Sequence, residues 1–193
     1  MSTKLSQKEI TKRLVISAMF IAVSVVLNEL TPIKLAFGGS VTLFSMVPLC
    51  LIGWVYGIRW GATAGAFAGV LNMLVGGLSN FSYVSGIVAY LILIFADYFV
   101  AFGVIGLAGM FKNKIKNKSL AIGLGAGLAC VLRFICHFIS GVTIWGDYSG
   151  GHISAWIYSF TYNGSYMLPE LIITVIGCIA IVNIKPIMKQ IEK

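Results

Sequence analysis

Most of the polar chemistry in this chain lies between Arg133 and Glu170. Arg133 and His137 stand four residues apart inside an apolar run, so on a helix they share one face. Trp145 and Trp156 follow, then Tyr148, Tyr158, Tyr162 and Tyr166 gather around Asn163, and Glu170 closes the stretch. One more ionisable residue, Asp97, sits deep in apolar sequence, where a charge is costly unless it faces the interior and has a partner. Aromatic walls with a buried carboxylate suit a flat, cationic, nitrogen-rich ligand. Ring faces attract cations by about 0.5–2 kcal/mol. A carboxylate, from Asp97 or from Glu170, would neutralise the charge, while His137 and Asn163 would read donors and acceptors. Two simpler readings compete: Trp and Tyr also collect in belts at membrane interfaces, and Asp97 could form a structural ion pair with Arg133.

Catalytic machinery is not visible. The chain has no G-x-x-x-x-G-K-[ST] phosphate loop and no H-E-x-x-H, and His152 is isolated. No nucleophile elbow occurs, and Ser140 beside His137 is not a triad, because adjacency on a helix does not aim one group at the other. Cys50, Cys130, Cys136 and Cys178 each lie in apolar runs without metal-ligand spacing and read as buried free thiols. The expectation is a non-enzyme with no catalytic residues, no metal and no cofactor of its own.

The elements that hold these residues are written in the composition. Of 193 residues 59% are hydrophobic and 10% charged, against about 25% charged in soluble domains; the mean hydropathy is +0.95. Apolar runs reach the roughly 20 residues that cross a bilayer, and the alternating pattern of a membrane barrel is missing. The chain therefore reads as an all-α integral membrane protein, one domain over 1–193, with six transmembrane helices in one bundle. The expected spans are about 14–30, 41–57, 61–78, 86–110, 119–141 and 166–184. Twelve of the fourteen Lys and Arg fall before the first span, between the second and third, in the Lys112–Lys118 loop and in the tail. If those segments are cytoplasmic, the positive-inside rule is met and both termini lie inside. The +8 charge then reports topology and contact with the lipid bilayer rather than nucleic acid. No cleavable signal peptide is evident.

Within this frame, Ala18 and Ala22 are small residues at close-packing spacing on the first span. Residues 28–40, with Pro32, Gly38 and Gly39, form an outer loop that is either a plain connector or a movable flap. Pro48 falls inside the second span. Gly61, Gly65 and Gly69 give a double G-x-x-x-G, expected to pack within the chain. His137 comes about 27 Å up the fifth span, near its outer end. Asp147, Tyr148, Gly150 and Gly151 make an outer loop, and 154–165 reads as a short helix or re-entrant piece before the last span, which carries Pro169.

Three motifs carry a resemblance. They are H-F-I-S-G-V-x-x-W from His137 to Trp145, A-W-x-Y-S-x-x-Y-N-G-S-Y from Ala155 to Tyr166, and G-G-S-x-T from Gly38 to Thr42 ahead of the Pro48 helix. With them the chain resembles the thiamine-specific substrate-binding (S) components of energy-coupling-factor (ECF) vitamin transporters, along nearly its whole length. The resemblance implies a six-helix bundle in a bacterial cell membrane that binds thiamine. It also implies delivery through a transmembrane coupling subunit, on which Ala18 and Ala22 would dock, and two separate ATPase subunits. It implies that Trp145 stacks on the thiazolium ring with His137 close by, and that Tyr158 and Asn163 bond the ligand's polar ends. Asp97 falls where the family's acid reads the aminopyrimidine, and Tyr98 would line the same wall. Tyr83 and Tyr90 compete for an upstream Tyr position; Tyr148 and Glu170 are further candidates from the pocket reading above. Two departures stand out. Residues 28–39 lack the Trp that some relatives carry, and Asp97 is one methylene shorter than the usual Glu. The alternatives are an S component for another vitamin or precursor, such as hydroxymethylpyrimidine or riboflavin, and a stand-alone channel or structural membrane protein.

Overall fold

The computed structural model describes residues 6–146 and 154–192. Helices dominate it: α1 (Gln7–Glu29), α2 (Val47–Tyr56), α3 (Ile58–Val75), α4 (Ile87–Gly109), α5 (Lys118–Thr143), α6 (Ala155–Asn183) and α7 (Lys185–Glu192). Two residue pairs, β1 (Ile33–Lys34) and β2 (Ser40–Val41), make an antiparallel ladder with Ile33 opposite Val41. Five helices among the described residues, α1, α3, α4, α5 and α6, are long and apolar enough to cross a membrane, and α2 is a shorter apolar helix. Large apolar side chains cover the outside of the bundle, Leu14, Met19, Phe67, Ile139 and Ile176 among them. Such a coat is stable only against lipid.

Close backbone contact holds the helices together. The double G-x-x-x-G of α3 packs within the chain, as its spacing predicts. A Cβ on Gly65 would lie 2.3 Å from the Phe102 carbonyl oxygen of α4, and one on Gly69 would lie 2.3 Å from that of Tyr98. Gly61 meets Gly53 of α2 and Gly106 of α4 in a three-helix node where no side chain fits. The contact is a gain in dispersion rather than burial from water, which is the force that assembles helices inside lipid. Polar pins supplement it: Trp60 Nε1 donates to Ser17 Oγ at 2.9 Å, and Ser24 Oγ donates to the Ser45 carbonyl at 2.7 Å.

Several boundaries differ from the sequence expectation. α1 begins at Gln7, a turn and more before the apolar run, because Ser6 caps it and Glu9 completes a capping box. The second span is not one helix from 41 to 57. Residues 40–46 are non-helical, α2 starts at Val47, and Pro48 sits in its first turn, where its missing N–H costs nothing. Residues 154–165 are neither a separate helix nor re-entrant. α6 runs unbroken from Ala155, capped by Ser154, through Pro169. Cys50, Cys130 and Cys178 are buried free thiols and Cys136 is half-buried. The expected outer loop at 147–151, with Tyr148, lies outside the described residues.

Candidate functional site

At the end of the bundle that carries residues 28–40 and 76–86 lies a cavity of about 270 Å³. Its walls come from the 28–40 segment, the outer part of α3 with the turn after it, α4, α5, Trp145 and the first half of α6. Asp97, Tyr98, His137, Trp145, Tyr158 and Asn163, singled out from sequence, all line it.

Asp97 is the centre of this wall. It stands in a π-helical stretch of α4, Leu93–Val100, a wide-turn geometry that recurs at functional sites. Its Oδ1 accepts from Ser140 Oγ and contacts His137 Nδ1 at 2.9 Å. Its Oδ2 accepts from Trp145 Nε1 at 3.4 Å. On the far side of the imidazole, Arg133 Nε donates to His137 Nε2 at 3.2 Å. Arginine can only donate, so Nε2 carries the lone pair and Nδ1 carries the proton. His137 is thus the neutral Nδ1–H tautomer, donating to Asp97. The predicted alternative of a direct Arg133–Asp97 ion pair is not what forms. The histidine stands between the two charges, and the guanidinium packs 4.3 Å over the Phe102 ring. Ser140 Oγ bonds Asp97 and the His137 carbonyl, so this hydroxyl is not handed to the imidazole as a nucleophile.

The α6 wall is a ladder of the same kind. Asn163 Nδ2 donates to the carbonyls of His137 (3.2 Å) and Ser159 (2.9 Å), and its Oδ1 accepts from Tyr166 OH at 2.7 Å. Asn163 therefore locks α6 to α5 at the level of the imidazole. Tyr158 and Tyr162 stack at 5.7 Å, and Tyr162 OH accepts the Gly39 N–H at 2.9 Å. Across the cavity, Asn80 donates to Tyr98 OH at 2.9 Å.

The remaining candidates fall elsewhere. Tyr83 does not line the cavity but meets Phe37 at 5.5 Å and Trp145 at 6.3 Å, backing the wall. Tyr90 stacks on Phe81 at 5.7 Å, away from the cavity. Glu170 is buried below it and accepts the Thr42 N–H. Sequence reasoning missed Phe37, which lies 6.0 Å from Trp145 and supplies an aromatic to the 28–40 segment. It also missed Asn80 and the wall role of Ser140. The Gly38-Gly39 pair beside Phe37 was the available signal, since Gly38 takes φ +89°.

A family model described as thiamine transporter protein matches residues 14–190. The chain belongs to that family. Among its relatives, the thiamine transporter ThiT of Bacillus subtilis (strain 168) is 28% identical over 98% of its own length and 96% of this chain. ThiT of Lacticaseibacillus paracasei is 23% identical over 73% of its length and 74% of this chain. The solved structure of ThiT from Listeria monocytogenes superposes with a TM-score of 0.72 at 23% identity, covering 94% of that chain and 90% of this one. This thiamine transporter family member therefore shares their membrane fold, and its cavity lies within the matched region.

Proposed function

We propose that the chain is the thiamine-capturing S component of an ECF importer in a bacterial cell membrane. On this reading it spans the bilayer six times, with α2 and the non-helical segment before it as one crossing and both termini inside. Thiamine joins an aminopyrimidine to a cationic thiazolium and carries an alcohol arm. Asp97 supplies the negative charge and an acceptor for the exocyclic amine. Trp145 offers its face to the cation. His137 and Tyr158 frame the ring system, and Asn163 keeps that wall in register. The observation that carries the reading is the convergence of Asp97, His137 and Trp145 on one cavity wall in a chain of the thiamine transporter family. At about 270 Å³ the cavity lies just below the roughly 300 Å³ at which the usual range of ligand sites begins. Replacing Trp145 by Ala is expected to weaken thiamine binding at least about tenfold, or 1.4 kcal/mol, in an equilibrium titration. Unchanged affinity would remove the stacking role.

Transport rather than catalysis is the reading that membership of the thiamine transporter family supports, and hydrogen-bond readers and ring faces on the wall suit it. Energy would come from the coupling subunit and two ATPase subunits on other chains. Ala18 and Ala22 are exposed on α1 beside Leu14, Val15 and Met19. That small-residue stripe on a free helix face supports docking there. Ala18→Trp with Ala22→Trp is expected to leave thiamine binding by the isolated chain intact and abolish uptake in cells that contain the whole importer. Loss of binding as well would mean the stripe serves the fold instead.

A further inference from the structure

Glu170 has no place on the cavity wall, yet it is 2% exposed in the middle of the bundle. One carboxylate oxygen, Oε1, accepts the Thr42 N–H. The other, Oε2, has no hydrogen-bond partner among the described residues. A buried carboxylate with half its capacity idle is an expensive way to fill space, so what Oε1 does must matter.

Thr42 explains it. The β1–β2 ladder ends at Val41, so the next N–H has no strand partner. The Thr42 hydroxyl does not serve this N–H: its Oγ1 lies 2.5 Å from Ser45 Oγ and also bears on the Glu170 carboxylate. Val41, Thr42, Ser45 and Met46 are all buried. This is non-helical backbone inside a membrane bundle, which is tolerated only when protein groups satisfy it. Glu170 is that group for Thr42. Just ahead of it in the chain, Phe37, Gly38, Gly39 and Ser40 form a wall of the cavity. The segment lies along one face of α6. Gly39 N–H reaches Tyr162 OH, Thr42 N–H reaches Glu170, and the Phe44 ring sits where a Cβ on Gly177 would come within 2.7 Å.

We infer that Glu170 is a positioning residue for ligand capture: its Oε1 fastens residues 37–42 to α6 and so fixes one wall of the cavity, and the carbonyl-type lone pair is what serves, not the charge. The binding consequence rests on the thiamine reading; the fastening does not. Two readouts separate them. A cysteine placed by Ser40→Cys reports access to the wall through its rate of alkylation by a water-soluble maleimide, with the chain lacking that change setting the background from Cys136. Thiamine dissociation reports the site itself.

With Glu170→Ala, alkylation at position 40 is expected to rise severalfold and thiamine dissociation to quicken at least about tenfold. Glu170→Gln keeps an oxygen acceptor and is expected to restore both. A folded Glu170→Ala protein with the parent alkylation rate would overturn the inference. So would a folded Glu170→Gln protein that keeps the parent alkylation rate but binds thiamine at least about tenfold more weakly, because the charge would then be reading the ligand. The Gln variant decides whether or not the Ala variant folds. A parent chain that binds no thiamine while its wall still loosens in Glu170→Ala would remove the proposed function and leave the fastening in place.

Discussion

Asp97→Asn is expected to weaken thiamine binding at least about a hundredfold, roughly 2.7 kcal/mol. Three donors, from His137, Ser140 and Trp145, converge on the Asp97 carboxylate. An amide offers one oxygen where the carboxylate offers two, so its NH₂ must face a donor. The Arg133 charge, relayed through His137, would also lose the counter-charge beyond the imidazole. Hydrogen bonds to charged groups are worth about 1.5–3 kcal/mol each. Part of that appears as instability of the empty chain and part as lost ligand affinity, so both are to be measured, by thermal unfolding and by titration. Asp97→Glu keeps the charge and adds one methylene; it is expected to bind thiamine far better than the Asn variant. Asn and Glu variants of equal affinity would contradict the charge-reading role.

The largest effect on the fold is expected at Gly106. A Cβ there would lie 2.0 Å from the Gly61 carbonyl carbon, against backbone that has nowhere to go. Ordinary overpacking costs about 1–3 kcal/mol because side chains adjust; here α3 and α4 must separate. Gly106→Val should exceed about 4 kcal/mol and leave little monodisperse protein after detergent extraction. Gly164 in α6 is the control, since nothing lies within 4 Å of its Cβ position. Gly164→Ala should be stabilising by up to about 1 kcal/mol, the propensity difference in a helix interior. A Gly106→Val chain with the parent melting temperature would show that the α2–α3–α4 node is not close-packed.

What the sequence displayed and what it hid divide along the range of the interactions. Arg133 and His137 share a helix face, and Gly61, Gly65 and Gly69 repeat at one spacing; both are local periodicities, readable without a fold. Asp97 was legible as a costly residue needing a partner, but not as the acceptor of a histidine that itself holds off Arg133. The non-helical backbone of residues 40–46 was hidden for the same reason. Their apolar side chains read as helix, while the groups that make non-helical backbone tolerable are distant in sequence: Ser24 and Glu170. Pro48 reads as lying inside the second span because its place in a first turn depends on where the helix begins. The unbroken α6 shows the reverse error. Gly164 and Pro169 are poor helix formers, yet α6 runs through both.

Every role assigned to Asp97, His137 and Trp145 depends on thiamine binding in this cavity. The most direct measurement is a titration of the purified, detergent-solubilised chain with thiamine, following tryptophan fluorescence, with riboflavin and biotin as controls. Saturable quenching by thiamine alone is expected, reported by Trp145 against the Asp97 wall. A response to riboflavin or biotin with none to thiamine, or silence to all three, would contradict it.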